Sequence, residues 1–211
     1  MFSDIIVPDS AIARQAEEFA RSVSSDMLFN HVMRCYYFGE LLAQQENSKV
    51  DRELMFLSSV LHDLGFTDAG RGENRFEIEG AHAARKFLLD HGVADDRAWK
   101  IWDNIALHTT DISLYKDEGS RILQFGILYD LVALPPEIKI DPRDVAEVVH
   151  RYPRLGFKQS FYELFHDELD RKQPYPHKFH FCSCIEHHRS GTLTQIIPEP
   201  QSLLNGAPFS E

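Results

Sequence analysis

Apolar residues recur at helical spacing along most of the chain, and no segment sustains the strict alternation of a half-buried strand. Asp9 or Ser10 predicts the cap of a first helix that runs through Ala16, Phe19 and Val23. A second starts near Asp26 and carries Leu28, Val32, Cys35, Tyr36, Phe38 and Leu42. Asp51 predicts the cap of a third, which reaches His62-Asp63 and stops at Gly65. Ile78, Ala81, Ala84, Phe87 and Leu88 mark a fourth that ends at Gly92, and Asp95 or Asp96 would cap a fifth carrying Trp99, Trp102, Ile105 and Leu107 to His108. A sixth spans roughly 121–133 and stops before Pro135-Pro136. Asp141-Pro142 is an N-cap and first-turn pair for a helix ending near Tyr152-Pro153, and a last helix covers about 160–171. The expected fold class is all-α.

Between these elements, the stretch from Thr67 to Asn74 is glycine-rich and charged, a loop that could close over a site. Beyond Gln173 the prolines Pro174, Pro176, Pro198, Pro200 and Pro208 predict an irregular C-terminal arm. The expected division is therefore an N-terminal helix over residues 1–24 packed on the domain, the domain itself over 25–172 and an extension over 173–211.

Composition narrows the partners. The 211 residues suffice for one sizeable core, and a net charge of -11 argues against a phosphate-backbone partner. No apolar run approaches the ~20 residues that span a bilayer, and no basic-then-apolar leader opens the chain. Three cysteines make no disulfide framework, so a reduced cytoplasmic compartment is expected. A small-molecule substrate, with no nucleic acid and no membrane, fits these observations, and self-association into a homo-oligomer is compatible with them.

The chemistry lies in the histidines. His62-Asp63 follows the apolar run Leu54 to Leu61 and is flanked by Leu64, so a polar pair is being buried at a helix end. Asp130 sits among Ile127, Leu128, Leu131 and Val132, where an ionised carboxylate wants a cation or several donors. With His31 and His108 on other helices, these residues can converge on one site, as helical bundles build metal centres. Imidazoles and carboxylates together suit zinc, iron, manganese, cobalt or nickel. By contrast, His91, His150 and His166 read as ordinary surface or structural histidines, and Tyr36, Tyr37 and Phe38 as core. His180, Cys182, Cys184, His187 and His188 are dense enough to hold a structural zinc, but their Cys-x-Cys spacing is tighter than usual and favours an ordinary tail.

The order His31, His62-Asp63, Asp130 resembles the H…HD…D signature of the HD-domain metalloenzyme superfamily, which implies a single HD-domain helical bundle. Asn30-His31, Tyr37-Phe38-Gly39, Leu61 to Gly65, Phe76-Glu77, Gly80-Ala81, Ile105 to His108, Tyr129-Asp130 and Tyr152-Pro153-Arg154 further resemble its cyanamide hydratase-like branch, over roughly Met27 to His180. That resemblance implies a zinc ion on His31, His62, Asp63 and Asp130, with His108 facing the substrate. Members with an H…HD…H…H…D set bind two metals, so His82 and His108 are candidates for a second site holding iron or manganese.

The implied reaction is hydration of a small nitrile, of the cyanamide-to-urea type, by metal-bound hydroxide. His62 and Asp63 anchor the metal in this reading, and His108 orients the substrate or shuttles a proton. One alternative is a phosphohydrolase acting on a nucleotide or phosphomonoester, with Arg34, Arg71 or Arg75 binding phosphate. Arg34 reads equally as the partner of a carboxylate. Arg34 and Phe76 complete the substrate-pocket candidates. A diiron oxygenase and a non-catalytic binding module are the remaining alternatives.

Overall fold

A computed structural model describes residues 1–133 and 139–172. Every regular element among them is helical, as the periodicity predicts. Ser10 caps α1 (Ala11–Val23) through the Ala13 amide, and Ser25 caps α2 (Asp26–Glu46) through Leu28. Asp51 caps α3 (Arg52–Leu61), whose last turn hands over at His62 to a 3₁₀ turn, Leu64–Phe66. Then come α4 (Phe76–Asp90), α5 (Asp95–Leu107), a single-turn α6 (Ser113–Lys116), α7 (Glu118–Val132), α8 (Pro142–Arg151) and α9 (Phe157–Arg171).

Small departures from expectation have local causes. The fifth helix starts at Asp95 itself with Ala94 at its cap, so Asp95 and Asp96 serve as first-turn acids rather than caps. The next long helix begins at Glu118, because Asp117 caps it through the Ser120 amide. Asp141 caps α8 with Pro142 in its first turn, as expected. Pro135-Pro136 and the His180 to His188 cluster lie outside the described residues.

The chain divides into two compact units, Met1–Leu164 and Phe165–Glu211. In the second, Lys172 donates to Glu168 at 2.5 Å, and Arg171 donates to the same carboxylate. In the first, α2 runs through the core with nearly all of its residues buried, Tyr36, Tyr37 and Phe38 among them, and packs chiefly on α7. The two helices approach closely at Gly126, where a Cβ would collide with the Cys35 carbonyl and lie 2.8 Å from the Gly39 nitrogen. That approach sets the turn bearing Asp130 against the turn bearing His31 and Arg34. Asn104 ties four elements together in the interior. Its amide donates to Ser58 at 3.1 Å, and its carbonyl accepts from Ser120 at 2.6 Å and from Lys116 at 3.1 Å. Among the described residues, no helix is long and apolar enough to cross a membrane.

Candidate metal centre

His62 and His108 occupy the same structural position on different helices. Each is the residue at which its helix ends, α3 for His62 and α5 for His108. Each points Nδ1 back at the carbonyl three residues earlier: His62 to Ser59 at 2.7 Å, His108 to Ile105 at 2.6 Å. A carbonyl only accepts, so Nδ1 carries the hydrogen in both rings and Nε2 keeps its lone pair. His31, on the second turn of α2, is fixed in the same way by a side chain, its Nδ1 lying 2.7 Å from Asp130 Oδ2.

The three Nε2 atoms face one carboxylate. His62 Nε2 is 3.2 Å from Asp63 Oδ2, His31 Nε2 is 3.4 Å from the same oxygen, and His108 Nε2 is 3.9 Å from Asp63 Oδ1. His62 Nε2 and Asp63 Oδ2 are buried without any hydrogen-bond partner. With His62 neutral, lone pairs meet in the interior with no hydrogen between them and leave buried acceptors unsatisfied. That is unfavourable unless a cation fills the gap, either a proton on His62 Nε2 or a metal ion. His62, Asp63 and His108 offer ligand atoms within 4.8 Å of one another, and so do His31, Cys35 and His62. The donor set fits a divalent metal ion. Cys35 lies against the His31 ring, with Sγ 3.6 Å from Nδ1 and 3.7 Å from Nε2, and burial pushes its thiol well above the usual range.

Charge follows from this geometry. Burial works against the Asp63 carboxylate, but the imidazoles of His62, His31 and His108 outweigh it and hold its pKa at about 2. Burial also opposes a charged His62, yet Asp63 prevails and raises that pKa above its ordinary value. His31 is lowered by burial, and His108 is pushed down to about 4 by burial and by its neighbour His62. At neutral pH, His108 is therefore a lone-pair donor rather than a source of protons.

Asp130 stands behind His31. Besides the His31 Nδ1 bond, its carboxylate accepts from Arg34 Nε at 2.7 Å, Arg34 Nη2 at 2.9 Å and Arg154 Nη1 at 2.9 Å. Arg34, fully buried, also donates to the carbonyls of Tyr152 at 3.1 Å and Pro153 at 3.2 Å. Hydrogen bonds from His31 and Arg34 outweigh burial and keep the Asp130 pKa at about 2.

Rings enclose the cluster. Phe157 stacks on His31 at 4.8 Å, Phe161 lies 5.0 Å from the same ring, and Phe76 meets His108 edge-on at 5.7 Å. Phe66 stacks on Phe76 at 4.1 Å. The start of α4 reaches this place because Gly65 and Gly80 permit backbone contact. A Cβ on Gly65 would strike the Phe76 carbonyl, and one on Gly80 would lie 2.9 Å from the Gly65 nitrogen. His82 does not join the cluster: it is exposed on α4 and accepts a hydrogen bond from Trp102 Nε1 at 3.2 Å.

Glu77 is the residue that sequence reasoning missed. It is fully buried, accepts from Thr109 and from Arg75 Nη2 at 3.0 Å, and its charge is felt at His108. An acid in the first turn of a helix ordinarily reads as a dipole partner, and only its place beside Phe76 hinted at more.

Comparison with known proteins bears on the same residues. Over 177 residues the chain is 25% identical to the cyanamide hydratases DDI2 and DDI3 of Saccharomyces cerevisiae, covering 81% of this chain and 77% of each of theirs. The HD domain family matches residues 28–199, a span that contains the His-Asp pair at the centre of the buried cluster. The chain therefore belongs to the HD-domain family of metal-dependent enzymes.

Proposed function

We propose that the protein hydrates a small neutral nitrile of the cyanamide type, with His31, His62 and Asp63 holding a divalent metal, zinc first among the candidates. The observation that carries this reading is the pairing of orphaned donor atoms, His62 Nε2 and Asp63 Oδ2, with an aromatic enclosure whose neighbouring cations are already engaged. Arg34 and Arg154 are bound to Asp130, Arg75 to Glu77 and Arg71 to Asp68. A phosphate ester needs cations aimed at its developing charge, so these pairings favour an uncharged substrate over a phosphorylated one. The names of the yeast relatives support the same choice.

When bound, the metal supplies Lewis acidity and lowers the pKa of a water to about 7. The remaining work falls to side chains. Phe66, Phe76, Phe157 and Phe161 pack against one another around the cluster and exclude bulk water from it. The Glu77 carboxylate, steadied by Thr109, takes a proton from the attacking water as its oxygen bonds to the nitrile carbon. It then returns that proton to the nitrile nitrogen, whose π bond has opened, and a second proton shift from the new hydroxyl oxygen to the same nitrogen converts the imidic acid to the amide. Water and nitrile sum to the amide, and no group leaves. His108, neutral at working pH, donates no proton in this scheme.

The test is urea formation from cyanamide by the purified, metal-loaded protein, with His62→Ala as the control. Activity in the wild type that disappears in the variant is the expected result. Phosphate release from a nucleotide panel without urea would overturn the assignment in favour of a phosphohydrolase.

A further inference from the structure

We infer that His108 supplies the fourth protein ligand to the metal, and that Asp130 acts as a positioning residue through His31 instead of binding the ion. The inference rests on the metal-binding reading above, and it departs from the ligand set that the H…HD…D resemblance implies.

An ionised carboxylate has about four lone-pair sites. On Asp130 they are taken by His31 Nδ1, Arg34 Nε, Arg34 Nη2 and Arg154 Nη1, at 2.7, 2.7, 2.9 and 2.9 Å. Arg154 also reaches the Asp130 main-chain carbonyl at 3.0 Å, which anchors the residue a second time. Turning an oxygen toward the metal would break the His31 bond, which defines which nitrogen of His31 faces inward. It would also break part of a buried bidentate clamp. Asp130 is thus committed to a carboxylate–histidine pair that fixes the ring and raises its basicity.

His108 has the opposite character. Its Nδ1 hydrogen is spent on the Ile105 carbonyl, and its Nε2 is aimed at Asp63 Oδ1 from 3.9 Å, too far to be a hydrogen bond. It shares its mode of fixation with His62, whose Nε2 is the orphaned donor of the cluster. Three imidazole nitrogens and one carboxylate then form the donor set, drawn from α2, the ends of α3 and α5, and the turn between α3 and the 3₁₀ element.

X-ray absorption at the zinc edge of the zinc-loaded wild-type protein decides the matter without a substitution. Scattering from three imidazoles is expected, and scattering from two overturns the inference. Metal titrations of variants supply an independent readout, with Co²⁺ as the probe and circular dichroism to check that each variant is folded. Asp130→Asn is expected to keep one equivalent of Co²⁺ with the visible spectrum unchanged in shape and affinity lowered about 10- to 100-fold. His108→Ala is expected to alter the spectrum and weaken binding by more than 100-fold. The reverse order, with Asp130→Asn losing the ion and His108→Ala retaining the wild-type spectrum, overturns the inference while leaving the metal reading intact. A wild-type protein that takes up neither Zn²⁺ nor Co²⁺ overturns both.

Discussion

Replacing Arg34 by Met separates two roles that its sequence position allows. The side chain is fully buried, and its nitrogens bind both oxygens of Asp130 and the carbonyls of Tyr152 and Pro153. Methionine fills much of the volume but removes the charge and every donor. Breaking a buried ion pair by deleting one partner costs about 3–5 kcal/mol. The Tyr152 carbonyl losing its donor adds about 1 kcal/mol. Pro153 keeps its bond from Asn30 at 2.9 Å, and Arg154 and His31 still support Asp130, which limits the damage. The expected loss is therefore about 4–6 kcal/mol, against a typical stability of about 5–15 kcal/mol. For a domain of this size that corresponds to a fall in Tm of roughly 10–20 °C.

Urea unfolding of the metal-free protein measures the loss. Combining Arg34→Met with Asp130→Asn isolates the pair, and a coupling energy of about 2–3 kcal/mol is expected. The reasoning is refuted by a single-variant loss under about 1 kcal/mol, or by a coupling energy near zero. If Arg34 served instead to bind a phosphate, its removal would raise KM for phosphorylated compounds and leave the unfolding curve nearly in place.

Further outcomes follow from the same structure. Gly126→Ala drives a methyl group into the Cys35 carbonyl and the Gly39 nitrogen, so separation of α2 from α7 should lower stability by about 1–3 kcal/mol in thermal melts. His82→Ala removes a surface hydrogen bond and a ring contact with Trp102, so metal stoichiometry should stay at the wild-type value and stability should change by less than about 1 kcal/mol. Hydrogen bonds from Arg97 at 2.6 and 3.0 Å hold the Asp51 carboxylate below its usual range. Its folded pKa is thus below the unfolded value of about 3.9, so the clamp stabilises fully above that pH and its contribution is lost as the pH falls through the folded value. Asp51→Asn keeps a competent cap, and its deficit against wild type, followed by urea unfolding, should therefore shrink below about pH 4.

The sequence made the helices and the His-Asp pair legible because both are local signals. The caps Ser10, Asp51 and Asp141 are found where their side chains predict, and the starts of α2 and α3 fall where the apolar period sets them, although α3 gives way at His62 to a 3₁₀ turn instead of running on to Gly65. The relation of Asp130 to His31 was not legible, because it depends on a crossing between helices that lie 99 residues apart in sequence at that bond. A buried Asp among Ile127, Leu128 and Leu131 demands cationic partners, but composition alone does not say whether those are a metal or two arginines. His82 had the right order along the chain and the wrong face of α4, where its neighbour is Trp102. Glu77 was masked by a commonplace role for acids at helix starts.

The way each imidazole is held also orders the assembly of the centre. His62 and His108 take their orientation from carbonyls three residues upstream, so each is set as soon as its own helix forms. His31 takes its orientation from Asp130, and that contact exists only once α7 has docked on α2. Two rings are therefore encoded by contacts a single turn long, and the third by a loop closure spanning half the chain, which is entropically slower. The full donor set should accordingly assemble last in refolding, at the moment of that docking.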